Sequence, residues 1–232
     1  EIAGSMILAA TLLKLGGYGI LRISMVVNYS FLTMAPPLII FSTLGVILSA
    51  MLCSRQADMK SMIAFSSVSH MGLVIAAAMV NTEWSIAGSM ILMISHGLVS
   101  SALFCLANTS YERSFTRTLM LLQGSQIIFP LAAAWWLLVT LMNMALPPSP
   151  NFFGELVILT SLFQWSNFTL MMTSLGIIFT TIYSLYLFWS SQREYPPSHV
   201  KSMTPVETRE HILIALHIFP AILLILNPSL LF

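Results

Sequence analysis

Long apolar runs, separated by short clusters of polar and charged residues, dominate the chain. Most of these runs approach the ~20 residues that a helix needs to cross the hydrocarbon core of a membrane. The pattern predicts membrane-spanning helices near 3–21, 35–53, 61–80, 86–107, 129–165, 168–189 and 211–231. The expected fold is therefore all-α, a polytopic membrane protein with about seven crossings that forms a single membrane domain over residues 1–232.

The run 129–165 is interrupted by the prolines of Leu146-Pro147-Pro148-Ser149-Pro150. Proline removes a backbone donor and disfavours helix before it, so the run forms either two full spans or one span broken inside the membrane. Lys and Arg concentrate on one side of a membrane protein, and this bias separates the alternatives. Two crossings split the eight cations outside the spans four against four, whereas one crossing leaves only Arg22 apart from the other seven. The sequence therefore favours a discontinuous helix over 129–165, with these cations on one face: Arg55, Lys60, Arg113, Arg117, Arg193, Lys201 and Arg209.

Two polar segments are expected outside the membrane. Residues 109–126 carry Glu112, Arg113 and Arg117 between apolar residues, which is typical of an amphipathic piece that lies along the surface. The loop 192–210 is polar and rich in proline, and it is expected to pack on neighbours or extend into solvent.

Composition supports the membrane class and limits the chemistry. Hydrophobic residues make up 57% of the chain and charged residues 7%, against about 25% charged in soluble domains. The net charge of +1 argues against a nucleic-acid partner. Cys53 and Cys105 match no metal-binding spacing, so unpaired structural thiols are expected. The chain has neither a dinucleotide-binding glycine motif nor the cysteines of an iron–sulfur cluster, and it is expected to bind no cofactor itself.

Lys14 is the only charged side chain among the nineteen residues 2–20. A charge near the centre of a membrane helix costs at least ~2.5 kcal/mol and persists only beside a partner or a water-filled path. Snorkelling to a headgroup is the alternative, but a rise of ~1.5 Å per residue leaves Lys14 roughly 10 Å from the nearer end of its run. Lys14 is therefore a candidate for a buried amine that stores a proton.

Glu155 follows the last proline of the break by five residues. A carboxylate at the start of a half-helix is favoured by the positive end of the helix and by its free amide donors. Capping alone would explain a carboxylate there. Its location inside the apolar segment 152–163 instead favours a functional role within the membrane.

His70 and His96 each lie in the middle of a predicted span, beside several serines. A single histidine in a helix is more often a packed core residue than a relay. Imidazole titrates near neutrality, however, and neighbouring hydroxyls can hold water beside it, so core packing and a proton relay both remain open here. Neither histidine has a second metal ligand three or four residues away, which argues against a metal site.

Lys60 begins its predicted span beside Asp58. Charges at such a position usually fix the topology, although the point where a proton path opens to water would look the same. The candidate proton-relay residues are therefore Lys14, Lys60, His70, His96 and Glu155.

Several strings of the sequence resemble a single family. They are LLKLGGYG at 12–19, SVSHM at 67–71, MISHGL at 93–98, LFCLAN with YER at 103–113, and LPP with GEL at 146–156. Together they closely resemble the chain-4 family of NADH-ubiquinone oxidoreductase in its animal mitochondrial form. These proteins are antiporter-like subunits of respiratory complex I and are related to the Mrp cation/proton antiporters. The resemblance runs over nearly the whole chain.

The resemblance implies that the chain contains the last seven of fourteen family helices and part of a hydrated axis through the membrane arm. The family residues of that axis, on the eighth, tenth, eleventh and broken twelfth helices, fall on Lys14, Lys60, His70, His96 and Glu155. It also implies a place in the mitochondrial inner membrane, among lipids and neighbouring antiporter-like subunits. NADH, flavin, iron–sulfur clusters and ubiquinone would then belong to partner subunits.

The chain departs from the family at its beginning. A complete member starts with seven further helices, which carry a glutamate and a lysine that form a partner ion pair, and neither is present here. The start, EIAGS, also lacks two residues of the usual EAPIAGS. The resemblance therefore implies a partial chain or a separate second half, because these helices alone would not make a complete proton channel.

The leading hypothesis is a proton-translocating subunit of a redox-driven complex. A secondary cation/proton antiporter is the first alternative, against which the animal-type strings count. A seven-helix receptor is the second, and the buried Lys14, Glu155 and the proline break suit it poorly.

Overall fold

The structure is a computed structural model that describes residues 2–26, 28–193 and 205–226. Most of these residues are helical, as expected where lipid forces each backbone polar group to find its partner inside its own segment. The first span consists of α1 (Ile2–Ile7), a π-helical turn (Leu8–Leu12) and α2 (Leu13–Val26). The following helices are α3 (Asn28–Ser54), α4 (Met59–Val80), α5 (Glu83–Ser114), α6 (Ser125–Ile128), α7 (Pro130–Asn143), α8 (Pro150–Trp165), α9 (Asn167–Gln192) and α10 (Thr208–Leu226).

Six helical segments are long and apolar enough to cross a membrane, namely the first span, α3, α4, α5, α9 and α10. Helix α5 forms the centre of the bundle. In its apolar stretch of 18 residues 83% of the residues are buried, against 17% in the corresponding stretches of the first span and of α10. Helix α4 packs between α3 and α5. The prediction of an all-α, polytopic membrane fold is confirmed.

Local sequence fixes the ends of the central helices. Asn81 adopts the left-handed conformation with φ of 52° and ends α4. Thr82 and Ser85 form a reciprocal capping box that begins α5. The Ser149 hydroxyl accepts from the Phe152 N–H and caps α8, whose first residue is a proline, a position where the missing N–H costs nothing.

The run 129–165 forms α7 and α8, which are separated by residues 144–149. With 14 and 16 residues, both helices are shorter than a membrane span, which needs ~20. They contact each other little, because α7 packs mainly on α5 and α9, and α8 mainly on α5, α4 and α9. The two helices are therefore not an antiparallel hairpin of two spans.

The contacts of α9 show the direction in which α7 and α8 run. Ser125, just before α7, donates a hydrogen bond to the Gln192 side chain at the end of α9 (2.8 Å). Asn167, the first residue of α9, lies at the other end of a helix about 39 Å long, close to the last residue of α8. The chain thus enters α7 at one end of the bundle and leaves α8 at the other, so 129–165 crosses once, as predicted from the charges.

Positive charges gather at the end of the bundle where α7 begins, which is called the cationic face below. Contacts between distant segments define it: the Met59 N–H with the Arg117 carbonyl (3.0 Å), the Gly124 N–H with the Arg193 carbonyl (2.9 Å), and the Arg113 guanidinium with the Glu210 carboxylate. Six of the seven cations predicted for one face lie there. The seventh, Lys201, lies outside the described residues.

Helix α5 is longer than predicted, since it continues to Ser114 and not to about 107. The prediction of a surface segment over 109–126 is therefore wrong for residues 109–114, which form the last turns of this helix. Its polar residues are satisfied there, because the Asn108 amide donates to the Glu112 carboxylate (2.8 Å). Only the part beyond Ser114 lies across the end of the bundle, where Leu119–Ile128 is bent by 118° from α7.

A single crossing of 129–165 makes a labelling prediction. Ala57→Cys and Arg193→Cys should react with an impermeant thiol reagent from the same side of sealed, oriented vesicles, and Asn167→Cys from the opposite side. The physical reason is that the first two positions lie on the cationic face and the third at the far end of α9.

The parent chain is the control, because its cysteines, Cys53 and Cys105, are both buried and should remain unlabelled. Reaction of Ala57→Cys and Arg193→Cys from opposite sides would mean that 129–165 crosses the membrane twice.

Candidate functional site

Lys14 lies at the start of α2, directly after the π-helical turn, and only 9% of it is exposed. Its amine donates to the carbonyl of Ala9, within that turn, and to the Ser100 hydroxyl of α5 at 3.4 Å. π-Helical turns are rare and occur often at functional sites, where they redirect backbone carbonyls. Among the described residues, no carboxylate lies within ion-pair distance of the Lys14 amine.

A glycine lets α5 approach the π-helical turn. A Cβ atom on Gly97 would lie 3.4 Å from the Ala10 carbonyl and 3.7 Å from Cε of Lys14. The absence of a side chain at this position therefore leaves room for the lysine stem. Because Gly97 directly follows His96, this contact also brings the lysine stem to the part of α5 that carries His96.

His70 of α4 and His96 of α5 are fully buried and face each other, with ring centroids 4.8 Å apart. Lys14 reaches α5 at Ser100, one helical turn beyond His96. The His70 Nδ1 atom lies 3.3 Å from Oε1 of Glu155 on α8, although the ring is not aligned for a hydrogen bond. These four residues, Lys14, His96, His70 and Glu155, form the central cluster.

Close packing of α8 on α5 holds Glu155 inside the bundle. A Cβ atom on Gly154 would lie 3.0 Å from the backbone nitrogen of Leu92, and one on Gly88 would lie 3.0 Å from Ile158. Glycine at both positions thus allows the two backbones to meet. The break before α8 is closed by Asn151, whose amide donates to the Met142 carbonyl (3.0 Å).

The imidazoles of the central cluster lack protein partners. None of the four ring nitrogens of His70 and His96 makes a hydrogen bond with the described residues. Buried polar atoms normally have partners, and water supplies those that the protein does not. Such rings can exchange protons with each other, with Glu155 and with ordered water, because each neutral imidazole has one donor and one acceptor nitrogen.

Lys60 stands apart from the central cluster. It precedes His70 by ten residues, which is about 15 Å along α4. Its amine lies over the ring of Tyr111 at 5.0 Å, and the Arg117 guanidinium lies 5.1 Å from the same ring. The structure thus brings together four of the five candidate residues and places the fifth at the cationic face.

Sequence reasoning missed the residues that position the cluster. Ser100, Gly97 and Gly154 show no unusual sequence feature beyond being small and close to a titratable residue. Tyr183 of α9 was also missed, although it is 1% exposed and its hydroxyl has no hydrogen-bond partner among the described residues. A tyrosine in an apolar run is too common for its position alone to mark it.

No group of three or more His, Cys, Asp or Glu side chains in the described part of the chain is arranged to hold a metal ion. The Cys53 thiol instead donates to the Met62 carbonyl (3.1 Å), and the Cys105 thiol lies 3.7 Å from the Met6 sulfur. Neither thiol belongs to the central cluster.

A helical membrane bundle with a broken helix and ionisable side chains facing each other at its centre is the architecture of membrane transport proteins. The chain belongs to the family described as the transmembrane part of NADH:quinone oxidoreductases and Mrp antiporters, whose model matches residues 1–180.

Similar proteins agree with this assignment. NADH-ubiquinone oxidoreductase chain 4 of Scyliorhinus canicula is 57% identical over 229 residues, and those of Squalus acanthias and Danio rerio are 56% and 52% identical. Each alignment covers 99% of this chain and 50% of the relative, so the chain spans about half the length of these curated relatives.

A solved structure supports the fold. A chain of respiratory complex I from Thermus thermophilus with bound NADH is similar with a TM-score of 0.88 and 23% identity, and the similarity covers 94% of this chain and 46% of that one.

The glycine contact beside Glu155 predicts a packing effect. Gly154→Ala in the full-length protein should lower the midpoint of thermal inactivation, because overpacking against Leu92 costs about 1–3 kcal/mol. Gly45→Ala is the matched control, since a Cβ atom there meets nothing within 4 Å. Equal midpoints for the two variants would show that α8 does not need glycine at this contact.

Proposed function

We propose that this chain contributes to a proton-translocating membrane-arm subunit of mitochondrial NADH:ubiquinone oxidoreductase. The observation that carries the proposal is the central cluster, in which a lysine, two histidines and a glutamate face one another inside a membrane bundle. Groups of this kind are costly in a membrane and are typical of proton routes. The names of the relatives and of the family indicate that this route would operate in a redox-driven complex.

Proton transfer in the central cluster needs only small movements. A rotation of His70 or Glu155 turns the 3.3 Å approach of Nδ1 and Oε1 into a hydrogen bond along which one proton moves. Transfer from His70 to His96 then uses ring nitrogens that have no partner in the described part of the chain, with water as the bridge.

Lys14 would control the direction of transfer. Its amine donates to Ser100, one helical turn beyond His96 on α5, so the two positive charges repel when both residues are protonated. A proton on Lys14 therefore disfavours a second one on His96 and drives it towards His70 and Glu155. When Lys14 loses its proton, this repulsion disappears and a proton can return to His96. Protonation at one end of the cluster therefore changes protonation at the other end.

The proposed partners and location follow from the same reading. We place the protein in the mitochondrial inner membrane, in contact with lipids, with other membrane-arm subunits and with neighbouring antiporter-like subunits. The chain would bind no redox cofactor, and NADH, flavin, iron–sulfur clusters and ubiquinone would be held by partner subunits. Lys60, at the cationic face, would belong to the path by which protons reach the central cluster.

A secondary cation/proton antiporter is the second candidate, because the matching family also includes the Mrp antiporters. The two functions differ in their driving force. Proton movement that depends on NADH oxidation and stops with an inhibitor of ubiquinone reduction supports the first candidate. Proton movement driven by a sodium gradient, without electron transfer, would support the second.

Substitutions in the central cluster test the proposed function. Lys14→Ala, Glu155→Ala and the isosteric Glu155→Gln, in the full-length protein, should lower proton pumping and the coupled NADH:ubiquinone turnover by roughly a hundredfold, the usual contribution of a positioned proton-transfer group. The complex should still assemble, which native gel electrophoresis would verify.

Glu207→Gln provides the control, because this carboxylate is exposed and pairs only with Arg209 among the described side chains. Turnover of an assembled Glu155→Gln complex equal to that of Glu207→Gln would exclude Glu155 from the mechanism.

The two histidines make a separate prediction. Glutamine at position 70 or 96 retains hydrogen bonding but does not titrate near neutrality. His70→Gln and His96→Gln should therefore slow turnover and proton pumping in assembled complexes. Full activity of both variants would assign the histidines to core packing.

A further inference from the structure

The central cluster has no direct contact with the cationic face. Lys60 and His70 lie on the same helix, α4, but they are about 15 Å apart along it. Ser66 lies between them, about 9 Å beyond Lys60 and about 6 Å before His70. A proton that enters at the cationic face must therefore cross the layer of the bundle at Ser66 before it reaches the cluster.

A small cavity occupies this layer, between α4, α5, α7 and α9. Its polar lining consists of Ser66, Thr140, Asn143, Tyr183 and Ser184. The cavity has room for about one water molecule. Asn143 is the last residue of α7, so the break between α7 and α8 opens beside the cavity.

Two polar atoms in the cavity lack partners. The Tyr183 side chain is 1% exposed and its hydroxyl makes no hydrogen bond with the described residues. The side-chain oxygen of Asn143, a residue 4% exposed, is also without one. Leaving a buried polar group unpaired costs about 1–3 kcal/mol, so a water molecule that pairs with both atoms is stabilised here.

The neighbouring hydroxyls have the right polarity to hold this water. Ser66 donates to the Ile63 carbonyl, Thr140 to the Trp136 carbonyl and Ser184 to the Thr180 carbonyl, all at 2.6–2.8 Å. Because each proton is committed to the backbone, each oxygen faces the cavity as an acceptor. A donor is therefore required, and water, the Tyr183 hydroxyl and the Asn143 amide group are the groups that can supply one.

The position of Tyr183 connects this cavity to the central cluster. Tyr183 lines the cavity together with Ser66 of α4, which precedes His70 by one helical turn.

We propose that the Tyr183 hydroxyl and a water molecule held in the cavity beside it, with Thr140 and Asn143, carry protons from the cationic face to the His70–Glu155 pair. This inference rests on the proposed function and adds the route by which its cluster is loaded.

The transfer conserves protons and leaves no charge on the phenol. The cavity water accepts a proton from the side of the cationic face and gives one of its own to the Tyr183 hydroxyl oxygen. As this O–H bond forms, the original phenol O–H bond breaks, and the proton it held passes towards His70 or Glu155. Rotation about the C–O bond then restores the starting arrangement. Tyr183 therefore acts by relaying a proton, with no oxidant, reductant or lasting ionisation.

Tyr183→Phe is the direct test, because it removes the hydroxyl and keeps the ring. In the assembled complex we expect pumping and turnover to fall by about tenfold or more, with a larger solvent isotope effect in deuterium oxide. Tyr186→Phe, three residues later on the same helix and 45% exposed, is the matched control and should match wild type. Equal turnover and isotope effects in the two variants would overturn the proposal.

A second pair of variants guards against a folding defect in Tyr183→Phe. Thr140→Ser retains the hydroxyl and should remain active, whereas Thr140→Val removes it and should be impaired in the same way as Tyr183→Phe.

A high-resolution cryo-EM map of the complete complex gives a readout independent of activity. It should contain a water between Tyr183, Thr140 and Asn143, and its absence from a map that resolves other buried waters would refute the route.

The outcome is distinguishable from failure of the proposed function. If Glu155→Gln is inactive and Tyr183→Phe is normal, the central cluster conducts protons and this route is wrong. If Glu155→Gln is itself normal, the proposed function fails.

Discussion

Burial of four ionisable side chains at the centre of a membrane bundle is the constraint on which the rest of the structure depends. Each must meet a polar partner or water inside the bundle, since lipid offers none. Lys14 is satisfied by a carbonyl of the π-helical turn and by Ser100, and Glu155 is held near His70. The irregular backbone of the π-helical turn is therefore found where it serves Lys14.

Glycine residues allow the helices that carry these side chains to pack closely. The helix α5 contacts the first span at Gly97 and α8 at Gly88 and Gly154, and in each case a Cβ atom would lie 3.0–3.4 Å from a neighbouring atom. Backbones that approach this closely gain van der Waals contact, which drives helix association where no hydrophobic effect operates. The same contacts fix the spacing of Lys14, His96 and Glu155, so packing and proton transfer depend on the same positions.

Much of this could be predicted from the sequence, because the signals were strong and local. A lone charge such as Lys14 in a long apolar run, the prolines before Glu155 and the one-sided distribution of Lys and Arg predicted the membrane class, the broken helix and its single crossing. The end of α5 was misjudged, because Glu112 and Arg113 looked like surface residues. They are instead paired with Asn108 and Glu210, and Glu210 lies 97 residues from Arg113.

The spatial relations within the site could not be predicted in this way. The approach of the His70 and His96 rings and the separation of Lys60 from them depend on how α4, α5 and α8 pack, which no spacing along one helix reveals. The cavity at Tyr183 is even harder to predict, since the residues that line it come from three helices besides α4. Proton transfer depends on such distances between side chains of different helices, so the sequence alone does not predict it.

The central claim is that Glu155 changes its protonation state as electrons pass through the assembled complex. Infrared difference spectroscopy of the oxidised and reduced complex tests this directly, because a protonated carboxyl group has its own carbonyl stretching band. The account predicts a redox-dependent carboxyl band that disappears in Glu155→Gln. A spectrum without such a band, or one in which the band persists unchanged in Glu155→Gln, would contradict it.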